Sequence, residues 1–168
     1  MEKNALDEKL VSRNGDGLNS GNARTHEVAR KFENCEYRLE EFTHERHLTV
    51  ACWYLSIGPH AEALQRMRAG LQRFIAHHGK EGYHETITRF WMELLDSYLD
   101  GLPRDMSLDA KVKSAVTQFG RKDVLFAYYT RERVMSETAR REWVEPDLRP
   151  IEDGEGAAGE FEQILRSL

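Results

Sequence analysis

Residues 38–59 read RLEEFTHERHLTVACWYLSIGP, and this stretch decides the fold. Along it Glu40 or Glu41, His44, His47, Leu48, Ala51, Tyr54 and Leu55 fall on one stripe at helical spacing. That is the i, i+3, i+4, i+7 rhythm of an amphipathic helix, and Gly58-Pro59 terminates it. The pattern predicts a helix from Arg38 to Ile57, with Thr43 as an alternative N-cap. Its unusual feature is polar: His44 and His47 interrupt the apolar stripe. Three residues rise about 4.5 Å and turn through most of a revolution, so both imidazoles can address one point.

Working outward, the same rhythm recurs. His60 to His78 carries Leu64, Met67, Arg68, Leu71, Phe74 and Ile75 on one face and stops at Gly79. Tyr83 to Asp100 carries His84, Ile87, Thr88, Trp91, Leu94, Leu95 and Tyr98 and closes at Gly101. A further helix is predicted over Leu108–Phe119, with Ser107 as N-cap and Gly120 as stop. Shorter pieces are predicted over Thr25–Phe32, with Thr25 as N-cap, over Lys122–Thr130, and over Ser136–Trp143. Val144–Pro150 must be extended, because proline disfavours helix in the residue before it. No stretch alternates at period two, so no sheet is assigned. The expected fold is all-α: an irregular bundle of five or six helices over residues 24–151. Residues 1–23 and 152–168 read as disordered tails, the second acidic and ending in a short amphipathic stretch with Phe161, Ile164, Leu165 and Leu168.

Composition narrows the function classes. The chain has 168 residues, one domain's length, with 24 Lys and Arg against 29 Asp and Glu. A net charge of −5 argues against a general nucleic-acid binder, which needs a basic face. The apolar runs are too short to span a membrane. Two cysteines, Cys35 and Cys52, do not make a disulfide scaffold, and with no leader pattern at the N-terminus the expected location is cytoplasmic. Arg131, Arg133, Arg140 and Arg141 are interleaved with Glu132, Glu137 and Glu142, which reads as a solvated face.

The candidate chemistry lies in the histidines. Glu41-x-x-His44-x-x-His47 places three metal-binding side-chain types on successive turns, and His84 shares a face with Ile87, Thr88 and Trp91. If the two helices pack face to face, His44, His47 and His84 converge, and three imidazoles suit Fe, Cu, Zn or Ni. Glu41 or Glu85 would complete the shell or act as general base, and Arg68 would orient an anionic group of a small-molecule substrate. Tyr128 or Tyr129, with the strap around Asp147, would close the pocket. The leading expectation is therefore a small metal-dependent enzyme, oxidative or hydrolytic. The alternatives are a helical binding or partner-interaction module whose histidines form a structural hydrogen-bond network, or a metal-free enzyme with a histidine acid–base. Arg68 has a plain reading too, an ion pair to Glu40, Glu41 or Glu85, and so has Glu85, an ion pair four residues before Arg89. The His-Glu-x-x-His zinc signature is absent, since Thr88 stands where the second histidine belongs.

The motifs Glu41-Phe42-Thr43-His44-x-x-His47-Leu48, Tyr83-His84-Glu85-Thr86-Ile87-Thr88 and Trp143-Val144-Glu145-Pro146-Asp147-Leu148-Arg149-Pro150 resemble those of a family of small bacterial helical proteins. The resemblance runs from about Phe32 to Ile151. It implies a compact helical domain and points to the same histidines; it implies no mechanism.

Overall fold

The computed structural model describes residues 21–151, and every regular element among them is helical. In chain order these are α1 (Ala23–Glu33), a 3-10 turn (Leu39–Glu41), α2 (His44–Ile57), α3 (His60–His77), α4 (Glu85–Asp100) and α5 (Leu108–Phe119). A second 3-10 turn (Lys122–Ala127) and two short helices, α6 (Arg131–Val134) and α7 (Glu137–Arg141), complete the body. The expected irregular bundle is the observed one. The tail readings lie outside the described residues, apart from Gly21, Asn22 and Ala23, which belong to the packed body: Gly21 O accepts from Asp109 N–H at 2.7 Å, Asn22 Oδ1 accepts from Leu108 N–H at 3.2 Å, and Ala23 opens α1.

Helix α2 is the axis of the bundle and packs against α1, α3, α4 and α5. Its buried residues, Leu48, Val50, Ala51, Cys52 and Tyr54, spread over more than half of its circumference, as expected for a helix with several packed neighbours. Burial pushes the Cys52 thiol up to about 12, so it is an inert core side chain. Around the α1–α3 contact, Phe32 stacks on Phe42 at 4.5 Å, and Phe42 meets Phe74 at 5.0 Å. Gly70 lets α3 approach: a Cβ there would stand 2.7 Å from the Phe32 ring.

Several boundaries differ from the sequence expectation, each for a local reason. Arg38 to Thr43 does not join α2. Arg38 N–H donates to Glu41 Oε2 at 2.8 Å and its guanidinium reaches Glu41 Oε1 at 3.2 Å, closing a separate short turn. Thr25 is inside α1 rather than its cap, because its hydroxyl and N–H are taken by Asp109 Oδ1 at 2.5 and 2.9 Å. α4 starts two residues later than Tyr83, with His84 as its N-cap. α5 and its Ser107 cap fall where predicted.

The segment after α7 runs as the expected extended strap. Thr86 Oγ1, fully buried, donates to Glu142 O at 2.6 Å and accepts from Val144 N–H at 3.1 Å. Tyr129 OH donates to Val144 O at 2.8 Å. Asp147 holds Thr130, the N-cap of α6, accepting from its N–H at 2.8 Å and from its hydroxyl at 2.6 Å.

Two helices end in the same motif with different residues at the key position. After α3, Lys80 N–H reaches back to Ile75 O and Gly79 N–H to Ala76 O, with Gly79 at φ 62°. After α1, Glu36 N–H reaches Lys31 O and Cys35 N–H reaches Phe32 O, but the left-handed residue is Cys35 at φ 53°. Glycine has no steric penalty there and cysteine does. Cys35→Gly is therefore expected to raise stability by about 0.5–1 kcal/mol and Gly79→Ala to lower it by about 1 kcal/mol, read by urea denaturation. Equal responses at the two sites would show that this backbone penalty is not what separates them.

Candidate functional site

Packing α3 and α4 on α2 leaves a cavity of about 510 Å³ between them, walled on the remaining side by residues 122–135. The size lies within the roughly 300–1,000 Å³ typical of small-molecule pockets. α2 contributes His44, His47, Leu48 and Ala51; α3 contributes Met67, Leu71 and Ile75. The start of α4 brings Tyr83, His84, Ile87, Thr88 and Trp91, and the far wall brings Lys122, Leu125, Phe126, Arg131 and Met135. The three histidines singled out from the sequence thus line one cavity, because α2 and α4 do pack together.

Each imidazole is committed on at least one side. His44 Nε2–H donates to Phe119 O at 3.0 Å, and the ring sits edge-on to Trp91. His47 Nδ1–H donates back to Thr43 O at 2.9 Å, with the ring 4.1 Å from that of Phe42. His84 uses both nitrogens: Nε2–H donates to Val134 O at 2.9 Å and Nδ1 accepts from Ile87 N–H at 3.3 Å. A carbonyl can only accept, so these bonds fix the tautomers. His84 has no lone pair left, while His44 keeps Nδ1 and His47 keeps Nε2.

Burial lowers the pKa of all three, most of all at His47, which is held down to about 4. The Thr43 carbonyl opposes that shift; His44 and Lys122 add to it in the same direction as burial. At neutral pH the cavity therefore presents neutral imidazoles.

The carboxylates expected at the site lie elsewhere. Glu41 is bound to Arg38 in the turn before α2 and does not line the cavity. Glu85 and Arg68 form a two-bond ion pair, Nε to Oε2 at 2.9 Å and the second guanidinium nitrogen to Oε1 at 2.5 Å, and Tyr83 OH donates to Glu85 Oε2 at 2.7 Å. The Arg68 guanidinium beside it holds the Glu85 carboxyl below its ordinary range. This pair sits on a neighbouring surface groove with Arg89 and Arg140, outside the cavity. Arg89 turns to Glu93 at 2.5 Å instead of to Glu85. The plain reading of Arg68 as the partner of Glu85 is what the structure holds.

Among the described residues no three His, Cys, Asp or Glu side chains form a group that could hold a metal ion. The atoms nearest to that role are His44 Nδ1 and His47 Nε2. Tyr129 is buried, Asp147 is occupied by Thr130, and neither these nor Tyr128 lines the cavity, so the strap braces the wall and does not close the site.

Two cavity residues were not singled out from the sequence. Lys122 forms no ion pair among the described residues, and its charge bears on both His44 and His47. Arg131 lies over the Phe126 ring at 4.5 Å, also without an ion pair among the described residues. Interleaved charges around Arg131 read as solvated surface, and only the turn of α6 reveals that it faces the cavity. No family model, curated protein or solved structure matches this chain.

Proposed function

We propose that this chain is a small-molecule-binding helical domain, with the cavity between α2, α3, α4 and residues 122–135 as its ligand site. His47 is the polar contact at its wall, a hydrogen-bond acceptor and the acid–base group if the bound molecule is turned over. The observation that carries the reading is an apolar, aromatic-walled cavity of about 510 Å³ into which an imidazole with an uncommitted nitrogen faces. His44 and His84 are then structural members of the network, the alternative role that the sequence leaves open for them. An apolar pocket with a few placed polar groups is the usual form of a ligand site.

The methionines provide the test. Met67, Met92 and Met135 line the cavity and Met106 does not. In methyl NMR of Met-labelled protein, indole and 1-naphthol are expected to shift the first three signals and leave Met106 unchanged. Uniform small shifts, or none with either probe at the millimolar level, would refute the reading. A metal-dependent enzyme using the same histidines makes a different forecast. Co(II) would then bind with one-to-one stoichiometry, broaden those three methyls, and lose its site in a His44→Ala/His47→Ala double variant. That outcome would replace the present proposal.

A further inference from the structure

Among the described residues no Asp or Glu lines this cavity. Its charged lining is Lys122 and Arg131, beside three neutral imidazoles. Neither cation has a carboxylate partner among the described residues, a state they share with other exposed cations such as Arg66 and Arg73. Arg131 is also held in place by stacking on Phe126, so its guanidinium is positioned at the wall without an anion to position it. Both are on the segment 122–135 that closes one side, whereas the lining from α3, Met67, Leu71 and Ile75, is apolar. The lining is thus cationic on one element and hydrocarbon on another.

We propose that the ligand is a small organic acid, an apolar body of aromatic or branched-chain size ending in one carboxylate, bound with the carboxylate toward Lys122 and Arg131 and the body against α3. This rests on the cavity being a ligand site. Either cation can pair with a carboxylate, and Arg131 can grip one through two N–H groups. The hydrocarbon wall selects against small hydrophilic anions, which would leave it facing water.

His47 adds a readout. With no anion present, burial and the positive charge of Lys122 keep it neutral. A carboxylate at that wall favours the protonated ring and so raises its pKa on binding. The other titratable groups facing the cavity are His44 on α2, Tyr83 and His84 at the start of α4, and Arg131; α3 supplies none. Binding is then accompanied by proton uptake, and affinity rises as pH falls toward the free-state value of His47.

Three matched probes test this by the same methionine methyls: 1-naphthylacetate, 2-(1-naphthyl)ethanol and 2-(1-naphthyl)ethylamine. The carboxylate is expected to bind at least about tenfold more tightly than the alcohol and the amine more weakly than either. A Lys122→Gln/Arg131→Gln variant, changed only at exposed positions, should erase the preference of the carboxylate over the alcohol. Calorimetry in two buffers of different ionisation enthalpy should show proton uptake for the carboxylate alone. Equal binding of acid and alcohol, or a preference that survives the double variant, overturns the organic-acid assignment and leaves the cavity as a ligand site. Failure of all three probes to move Met67, Met92 or Met135 overturns both.

Discussion

His84→Ala is expected to cost about 2–4 kcal/mol of folding stability while the cavity still takes 1-naphthol. The imidazole performs two structural tasks. Its Nδ1 caps α4 by accepting from Ile87 N–H at 3.3 Å, and losing such a cap costs about 1 kcal/mol. Its Nε2–H satisfies the carbonyl of Val134 at 2.9 Å, and Val134 is fully buried. Removing the ring strands that carbonyl, which adds about 1–3 kcal/mol. His84→Asn separates the parts, since asparagine is a good N-cap but too short to reach Val134. It should recover the cap's share only. Urea denaturation measures both, and amide exchange at residues 134–139 should quicken in each variant, because α6 loses its tie to α4. If His84→Ala matches the parent within about 0.5 kcal/mol, the ring is not a strut. If stability is unchanged and a metal ion is lost, His84 is a ligand in the working protein.

The helices were legible because their signals are local. Ser107, Gly120 and the stripe of Val112, Ala115 and Phe119 place α5 without any tertiary knowledge. The histidines were legible as a group because α2 and α4 each bury one face, and those faces meet. What was not legible depended on partners distant in sequence. Glu41 follows helical spacing toward His44, but Arg38 captures it and Phe42-Thr43 break the helix between them. Thr25 has the composition of a cap, yet Asp109, 84 residues on, claims its hydroxyl and N–H. The ring nitrogens of His84 are consumed by Ile87 and by Val134, and the second lies 50 residues away. Lys122 and Arg131 escaped for the opposite reason. Their sequence context is ordinary charged surface, and the missing counter-ion becomes visible only when the segment folds over the cavity.

Acid is expected to weaken the fold well before its carboxylates titrate, with His47 as the main cause. Burial holds this imidazole down to about 4 in the folded chain, against an ordinary 6.5. Between those values the unfolded chain binds the proton and the folded chain does not, so stability falls as pH falls. The contribution is fully present above pH 6.5 and is lost as pH descends through the window to about 4. Integrated over that range, the loss is about 2 kcal/mol by pH 5 and about 3 kcal/mol by pH 4. His44 and His84, also lowered by burial, act in the same direction. The carboxylates with lowered pKa, Glu85 and Asp147 among them, add their loss from their ordinary values of 4.5 and 3.8 downward, at the acid end of this window and below it. Urea denaturation at pH 7 and pH 5 should therefore differ by about 2 kcal/mol or more in the parent. His47→Gln, which cannot take up the proton, should remove most of that difference while leaving the contributions of His44 and His84. A parent equally stable at both pH values would mean that His47 is open to water, and the dry wall on which the cavity's chemistry rests would be wrong. Adding 1-naphthylacetate to the parent supplies the opposing test. A bound carboxylate lets the folded chain accept the proton, so the acid loss should shrink when ligand is present and return when Lys122 and Arg131 are both replaced by glutamine.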